Sequence, residues 1–187
     1  MNNILPKLIH NSNFIGEESY AKNNNILNYY LSEEYCWTVD PIDGTSNFAK
    51  SKDSFAVMVA LTKSTEIIQS FIYKPINEDF MYADHSGTYL NNNKINLNKK
   101  INTQNATGSI STKYWDEIKN EKLISIKNKF ANVNSYGSIG CEYFDIALGK
   151  RDFALLSRLY PWDHIPGVYI VRPVSYTHLT LPTILLV

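Results

Sequence analysis

The chain is short of net charge, of cysteine and of long apolar runs, and each shortage excludes something. Lysine plus arginine and aspartate plus glutamate both number 18. With no excess of either sign, neither a nucleic-acid polymer nor a membrane surface is expected as a partner. No stretch approaches the roughly twenty apolar residues that cross a bilayer. Met1-Asn-Asn3 also lacks the basic and apolar regions of a leader, so a soluble cytoplasmic protein is the default expectation. The two cysteines, Cys36 and Cys141, sit far apart in apolar runs. They read as buried free thiols in a reducing compartment, with nothing to support a disulfide. His10, His85, His164 and His178 show no metal-ligand spacing, and no His-Glu-x-x-His pattern or Gly-x-x-x-x-Gly-Lys-Ser/Thr loop occurs. At 187 residues, with no internal repeat and no linker, one sizeable core is expected.

The informative stretch is Trp37-Thr-Val-Asp-Pro-Ile-Asp-Gly-Thr-Ser-Asn-Phe48. Thr38 and Val39 favour a strand, and Pro41 pushes Asp40 into an extended conformation. Asp43 follows three residues on, and Gly44 permits the tight turn that brings both carboxylates to one point. Thr45, Ser46 and Asn47 then bring hydroxyl and amide groups to a helix start, whose free backbone N–H groups favour an anion. Asp-Pro or Asp-Gly alone is ordinary turn chemistry. The whole ordered run is not, and it fits a metal-assisted phosphate site.

This run resembles the signature of the inositol monophosphatase family of Mg²⁺-dependent phosphomonoesterases. Asp40-Pro-Ile-Asp-Gly-Thr-Ser-Asn-Phe48 matches the family pattern without a departure, with Gly16-Glu17-Glu18 upstream and Trp162-Asp163 followed by Gly167 downstream. The resemblance implies an α+β fold, a layered αβαβα sandwich that is incomplete here. It also implies two or three Mg²⁺ ions: Glu17, Asp40 and the Ile42 carbonyl on one, Asp40 bridging to a second held by Asp43 and Asp163. Glu17, Asp43 and Thr45 would carry catalysis, with Glu17 and the Thr45 hydroxyl activating a water for in-line attack. Gly44, Thr45, Ser46, Ser138, Ile139 and Asp163 would face the phosphate and its alcohol. The partner would be a small phosphate monoester; family members are often homodimers.

Along the rest of the chain, Ile4, Leu5, Leu8 and Ile9 have helical spacing. Phe14 to Glu18 reads as a short strand and turn, and Ile26 to Leu31 as a short helical piece. Ser54–Leu61, Glu66–Tyr73 and Phe80–Ala83 read as an antiparallel meander closed by a turn at Asn91-Asn-Asn93. Its aromatics, Phe55, Phe71, Tyr73, Phe80 and Tyr82, are expected in the core. Asn98 to Thr107 reads as a polar surface connection, and Trp115 to Phe130 as an imperfect amphipathic helix. Asn132–Tyr136 reads as a strand, Gly137-Ser-Ile-Gly140 as a turn into a helix over Cys141–Leu148, and Phe153–Leu156 as a strand. A last helix opens at Trp162 with Asp163 at its start and His164 on its surface.

Residues 1–173 are therefore read as one domain, with a sheet and metal-site half over 1–105 and a second α/β half over 106–173. Residues 174–187 resemble translated sequencing adapter and are expected to be non-native; with the family's first helix lacking, the chain is expected to be a fragment. Some inositol-selective members place a glutamate six residues before the Trp-Asp pair, where this chain has Leu156. An apolar side chain cannot accept a hydroxyl hydrogen bond, which weakens the case for inositol itself. The alternatives are a related phosphatase of a nucleotide 3′-phosphate, histidinol phosphate or a sugar bisphosphate, and a silent chain that only binds metal or a partner.

Overall fold

The computed structural model describes residues 4–97, 102–111, 113 and 116–172. A one-turn helix α1 (Leu5–Leu8) leads to strand β1 (Asn13–Gly16), helix α2 (Glu17–Lys22) and a 3-10 helix over Asn24–Leu31. Strand β2 (Tyr35–Asp43) carries the Asp-Pro-Ile-Asp run, and helix α3 (Thr45–Ala49) follows it directly. Next come β3 (Ala56–Lys63), β4 (Glu66–Lys74), β5 (Asp79–Asp84), β6 (Gly87–Leu90) and β7 (Asn93–Lys94). The second half runs β8 (Thr107–Ile110), α4 (Glu117–Lys127), β9 (Asn132–Val133), α5 (Ile139–Ala147), β10 (Phe153–Leu155) and α6 (Pro161–Val171).

The first seven strands form one sheet in sequence order, with β1 parallel to β2 and every later pair antiparallel. The second sheet, β10-β8-β9, is parallel throughout. On the large sheet, alternation sends Ala56, Met58, Ile72 and Met81 to one face, where they are fully buried against Phe144 and Ala147 of α5 and Ile170 of α6. The α5–α6 layer covers that face, and α5 also touches β10 of the small sheet. The result is the expected layered α+β arrangement.

The period of two also corrects the reading of the aromatics. Phe71, Phe80 and Tyr82 take the opposite face from Ile72 and Met81, and they form a half-buried ladder with Tyr89 rather than core. Ring centroids along it are 5.9, 5.8 and 4.9 Å apart. A second cluster of Ile15, Ile26, Cys36 and Trp162 pins the start of α6 to the β1–β2 edge, with Tyr20 and Tyr160 packed on the indole at 5.2 and 4.9 Å. Both cysteines are buried and free.

Most expected elements are present within a residue or two. The first difference is that Glu17 opens a helix instead of ending in a turn; the Ser19 hydroxyl accepts from the Gly16 N–H and stabilises that start. The second is that the polar connection ends in a strand, β8, at Thr107. Helix α4 starts at Glu117 with Asp116 capping it, and the Asp116 side chain accepts from Lys119 N–H at 2.8 Å. The expected start at Trp115 and the expected non-native tail from 174 lie outside the described residues.

Candidate active site

The Asp-Pro-Ile-Asp run is shaped by a bulge in β2. Asp40 pairs with Met58 and Asp43 with Ala56, so three steps on β2 match two on β3. In a regular strand, residues three apart face opposite ways. The extra residue puts both carboxylates on the face that carries Met58 and Ala56, under the α5–α6 layer. Pro41, with no N–H to lose from the ladder, fits the irregular position. Gly44 then takes a left-handed conformation (φ +86°) that turns the strand into α3.

Two more acids join from neighbouring elements. Gly16 pairs with Val39 in parallel register, so Glu17, exposed at the start of α2, follows on beside Asp40. Asp163 lies in the first turn of α6, held there by the Trp162 cluster. Burial and the nearby charges of Asp43, Asp163 and Glu17 push Asp40 up to about 8. Burial, Asp43 and Glu17 push Asp163 up to about 7, with Arg158 pulling the other way. These couplings bring all four acids of the sequence analysis into one region.

Asp43 is held differently from its neighbours. The Ser138 hydroxyl donates to Oδ2, Gly140 N–H donates to Oδ2 at 2.7 Å, and Ile139 N–H donates to Oδ1 at 3.1 Å. The carboxylate therefore sits on the N-terminus of α5, where free N–H groups favour a negative charge. Burial raises its proton affinity while these three donors lower it; burial prevails. Gly140 allows this approach, since a Cβ there would lie 2.9 Å from Met58 Sδ and 3.1 Å from Asp43 Oδ2.

Ser138 and Ile139, expected to face the substrate, line the cleft and also hold Asp43. The Ser138 hydroxyl further accepts from Cys141 N–H at 3.3 Å. Thr45 Oγ donates to the Ile42 carbonyl at 3.0 Å, tying together two groups expected to serve water and metal separately. Gly44, Thr45 and Ser46 stand at the start of α3 as expected. His164, read as surface, is buried: Tyr143 Oη lies 2.9 Å from its Nδ1 and the Arg158 carbonyl 2.6 Å from its Nε2. Helix α6 packs inward on α5, which leaves its first turn little surface.

A cleft of about 410 Å³ opens beside these groups and is lined by Asp43 and Asp163. Ser111, Lys113, Leu156, Ser157 and Arg158 line it as well. Of these five, the sequence reading had only Leu156. The loops after β8 and β10 meet because the two strands pair in parallel, and β8 gave no strand signal to foretell it. Ser135, Gly137, Ser138, Ile139 and Glu142 complete its rim. A buried ion pair stiffens this rim: Arg151 Nη1 lies 2.8 Å from Glu142 Oε2, while Tyr136 N–H donates to Oε1 at 2.8 Å. Arg151 also donates to the Asn134 carbonyl at 2.6 Å and stacks on the Tyr136 ring at 3.7 Å.

Among the described residues, no three acidic, histidine or cysteine side chains meet at one coordination point. The donors share a region rather than a single point. Their chemistry still fits a hard divalent cation. Buried carboxylates here raise one another's proton affinity even with Arg158 near Asp163, and oxygen donors are what Mg²⁺ takes.

Fold and site together define a layered α+β protein with an acidic cleft where the bulged strand meets the α5–α6 layer. The chain belongs to the inositol monophosphatase family, whose model matches residues 1–181. It is 28% identical to the inositol-1-monophosphatase of Bacillus subtilis over 153 residues, 80% of this chain and 58% of that protein. It is 23% identical to the fructose-1,6-bisphosphatase/inositol-1-monophosphatase of Thermotoga maritima, over 73% of this chain and 53% of that one. Among solved structures, SaIMPase-II bound to inositol monophosphate superposes with a TM-score of 0.82 at 24% identity, covering 92% of this chain and 66% of that one. The chain thus spans between about half and two thirds of the length of these relatives.

Proposed function

We propose that this chain carries the active site of a Mg²⁺-dependent phosphomonoesterase that hydrolyses a small polyol or sugar phosphate to its alcohol and inorganic phosphate. The observation that carries this reading is the convergence of Asp40, Asp43, Asp163 and Glu17 beside the start of α3, where buried acids call for a cation and helix N–H groups for an anion. Glu17, Asp40, the Ile42 carbonyl, Asp43 and Asp163 would hold the ions. Bound there, Mg²⁺ would offset the phosphate charge and lower the proton affinity of water.

The chain's own groups supply the rest. The Thr45 hydroxyl donates its hydrogen bond to the Ile42 carbonyl, which leaves its lone pairs to accept from an attacking water. Glu17, exposed at the start of α2, takes the water's other proton. The N–H groups of Gly44 and Thr45, lacking intrahelical acceptors, cradle the phosphate. No side chain needs to form a covalent phosphoenzyme.

Phosphate release across a panel of phosphomonoesters, with and without Mg²⁺, tests the reading, with Asp43→Asn as control. Release that needs Mg²⁺ and is absent in the control is expected. Metal-independent release, or equal release by the variant, would overturn the assignment. A chain that binds Mg²⁺ yet releases no phosphate from any ester would favour a silent metal-binding role.

A further inference from the structure

Resting on the phosphatase reading above, we infer that Asn47 is a positioning residue for the reaction. Its amide ties the Tyr136 carbonyl to the loop after α3, and so holds the turn that supports Asp43 in register with the start of α3.

The signature run offered Asn47, beside Thr45 and Ser46, as a polar group at an anion site. Its amide turns inward instead, and the residue is buried. Nδ2 lies 2.7 Å from the Ser54 carbonyl and 2.8 Å from the Tyr136 carbonyl. Both oxygens can only accept, so the atom between them is the amide nitrogen, which donates one hydrogen to each. A serine or threonine there would offer one hydrogen, and an aspartate none. The main chain of Asn47 brings the first of those carbonyls round. Its own carbonyl accepts from Lys50 N–H at 3.0 Å and from Lys52 N–H at 2.9 Å, which folds the chain back after α3.

The second carbonyl belongs to the turn on which Asp43 depends. Tyr136 is held at both main-chain groups: Glu142 Oε1 accepts from its N–H at 2.8 Å, and Asn47 donates to its carbonyl. Gly137, at φ +72°, makes the bend that follows, and a Cβ there would lie 3.4 Å from Asn47 Nδ2. The donors to Asp43 come next, at Ser138, Ile139 and Gly140. Gly44 packs on the same turn, since a Cβ on it would lie 2.9 Å from Ser138 Cβ and 3.0 Å from the Ser54 carbonyl. The start of α3, which would cradle phosphate, therefore meets the groups that hold Asp43. Asn47 fastens the two across 89 positions of sequence. Loosening that joint displaces Asp43 relative to the bound ester, which acts on the transition state more than on ester binding.

Three variants test this. Asn47→Leu keeps the volume and removes both hydrogens; Asn47→Ser keeps one on a shorter side chain. Thr88→Val removes a buried hydroxyl bond to the Ile170 carbonyl, at the opposite end of α6 from Asp163, and controls for lost stability. In the metal-free chain, amide hydrogen exchange at Tyr136, Ile139 and Gly140 should quicken about tenfold or more in Asn47→Leu relative to Thr88→Val, and less in Asn47→Ser. With Mg²⁺, kcat for phosphate release should fall about tenfold or more in Asn47→Leu while KM moves less than about threefold. Exchange unchanged at those amides, or quickened as much in Thr88→Val, overturns the inference. So does an unchanged kcat, or a KM that rises as much as kcat falls. Failure of both Asn47 variants to fold while Thr88→Val folds would overturn it too, making Asn47 a residue of the whole fold. If the unaltered chain releases no phosphate from any ester, the phosphatase reading falls, while exchange still decides whether Asn47 holds the Asp43 turn.

Discussion

The acids of the site stand on a bulged strand and on the first turns of helices, whereas Lys113 and Arg158 stand on segments leaving β8 and β10. Asp40 and Asp43 are buried, and Asp43 accepts from three donors on a different element. Lys113 is exposed and Arg158 half-buried, with its guanidinium over the Tyr160 ring and its carbonyl against His164. Chemistry that needs charges fixed to a fraction of an ångström sits on the scaffold, and selection sits on loops that can change without disturbing it. Changes at the acids should therefore move turnover and stability together, and changes on the loops should move selectivity.

The largest effect expected on turnover is that of Asp43→Asn. The amide keeps one acceptor where the carboxylate had two, so at least one of the donors at Ser138, Ile139 and Gly140 loses its partner. Phosphate release should fall to background, and denaturant unfolding should show a loss of about 1–3 kcal/mol. A variant that lost activity at unchanged stability would break the coupling claimed for the acids.

The rim of the cleft comes next. Arg151→Met strands the Glu142 carboxylate in a buried site and should cost about 3–5 kcal/mol in the same unfolding measurement. Adding Glu142→Gln should recover part of that loss. No recovery would mean that the pair matters through packing alone.

A smaller effect is expected from pH. In the metal-free folded chain Asp40 is raised to about 8 and Asp163 to about 7, against an ordinary value near 3.8. The folded state thus binds more protons than the unfolded one, and the stability these protons lend is present at low pH and lost as pH rises through 7 and 8. The melting temperature of the metal-free chain should fall from pH 5 to 8, and Mg²⁺ should raise it most at the upper end. A midpoint independent of pH would mean that the acids are not coupled. The smallest effect falls just after β10. Leu156→Glu should raise turnover of inositol phosphate relative to other sugar phosphates by about tenfold or less, read as a ratio of kcat/KM. An unchanged ratio would remove Leu156 from selection.

How much of this was legible follows the same divide. The run from Trp37 to Phe48 announced a strand, a turn and a helix start because all its determinants are local. The meander and α6 were likewise readable from alternation and helical spacing. Strand β8 was not, because Thr107-Gly-Ser-Ile110 holds one strongly apolar residue and owes its strand state to parallel partners far along the chain. The helix at Glu17 was hidden by its brevity. The core face of the meander was misjudged because aromatics and aliphatics alternate there, and apolar character alone does not say which set turns inward. The three donors to Asp43 come from residues 95 to 97 positions away, a distance that no local pattern spans.

That separation also sets an order of events during synthesis. A nascent chain completes β1 to β7 before Ser138 emerges, so Asp43 first meets a sheet without the helix that will hold its charge. Until then water solvates its carboxylate, because the layer that buries it has not arrived. The arrival of α5 exchanges that water for three donors, and the loop closed in doing so is long and slow to form. On this order of synthesis the charged centre is completed last.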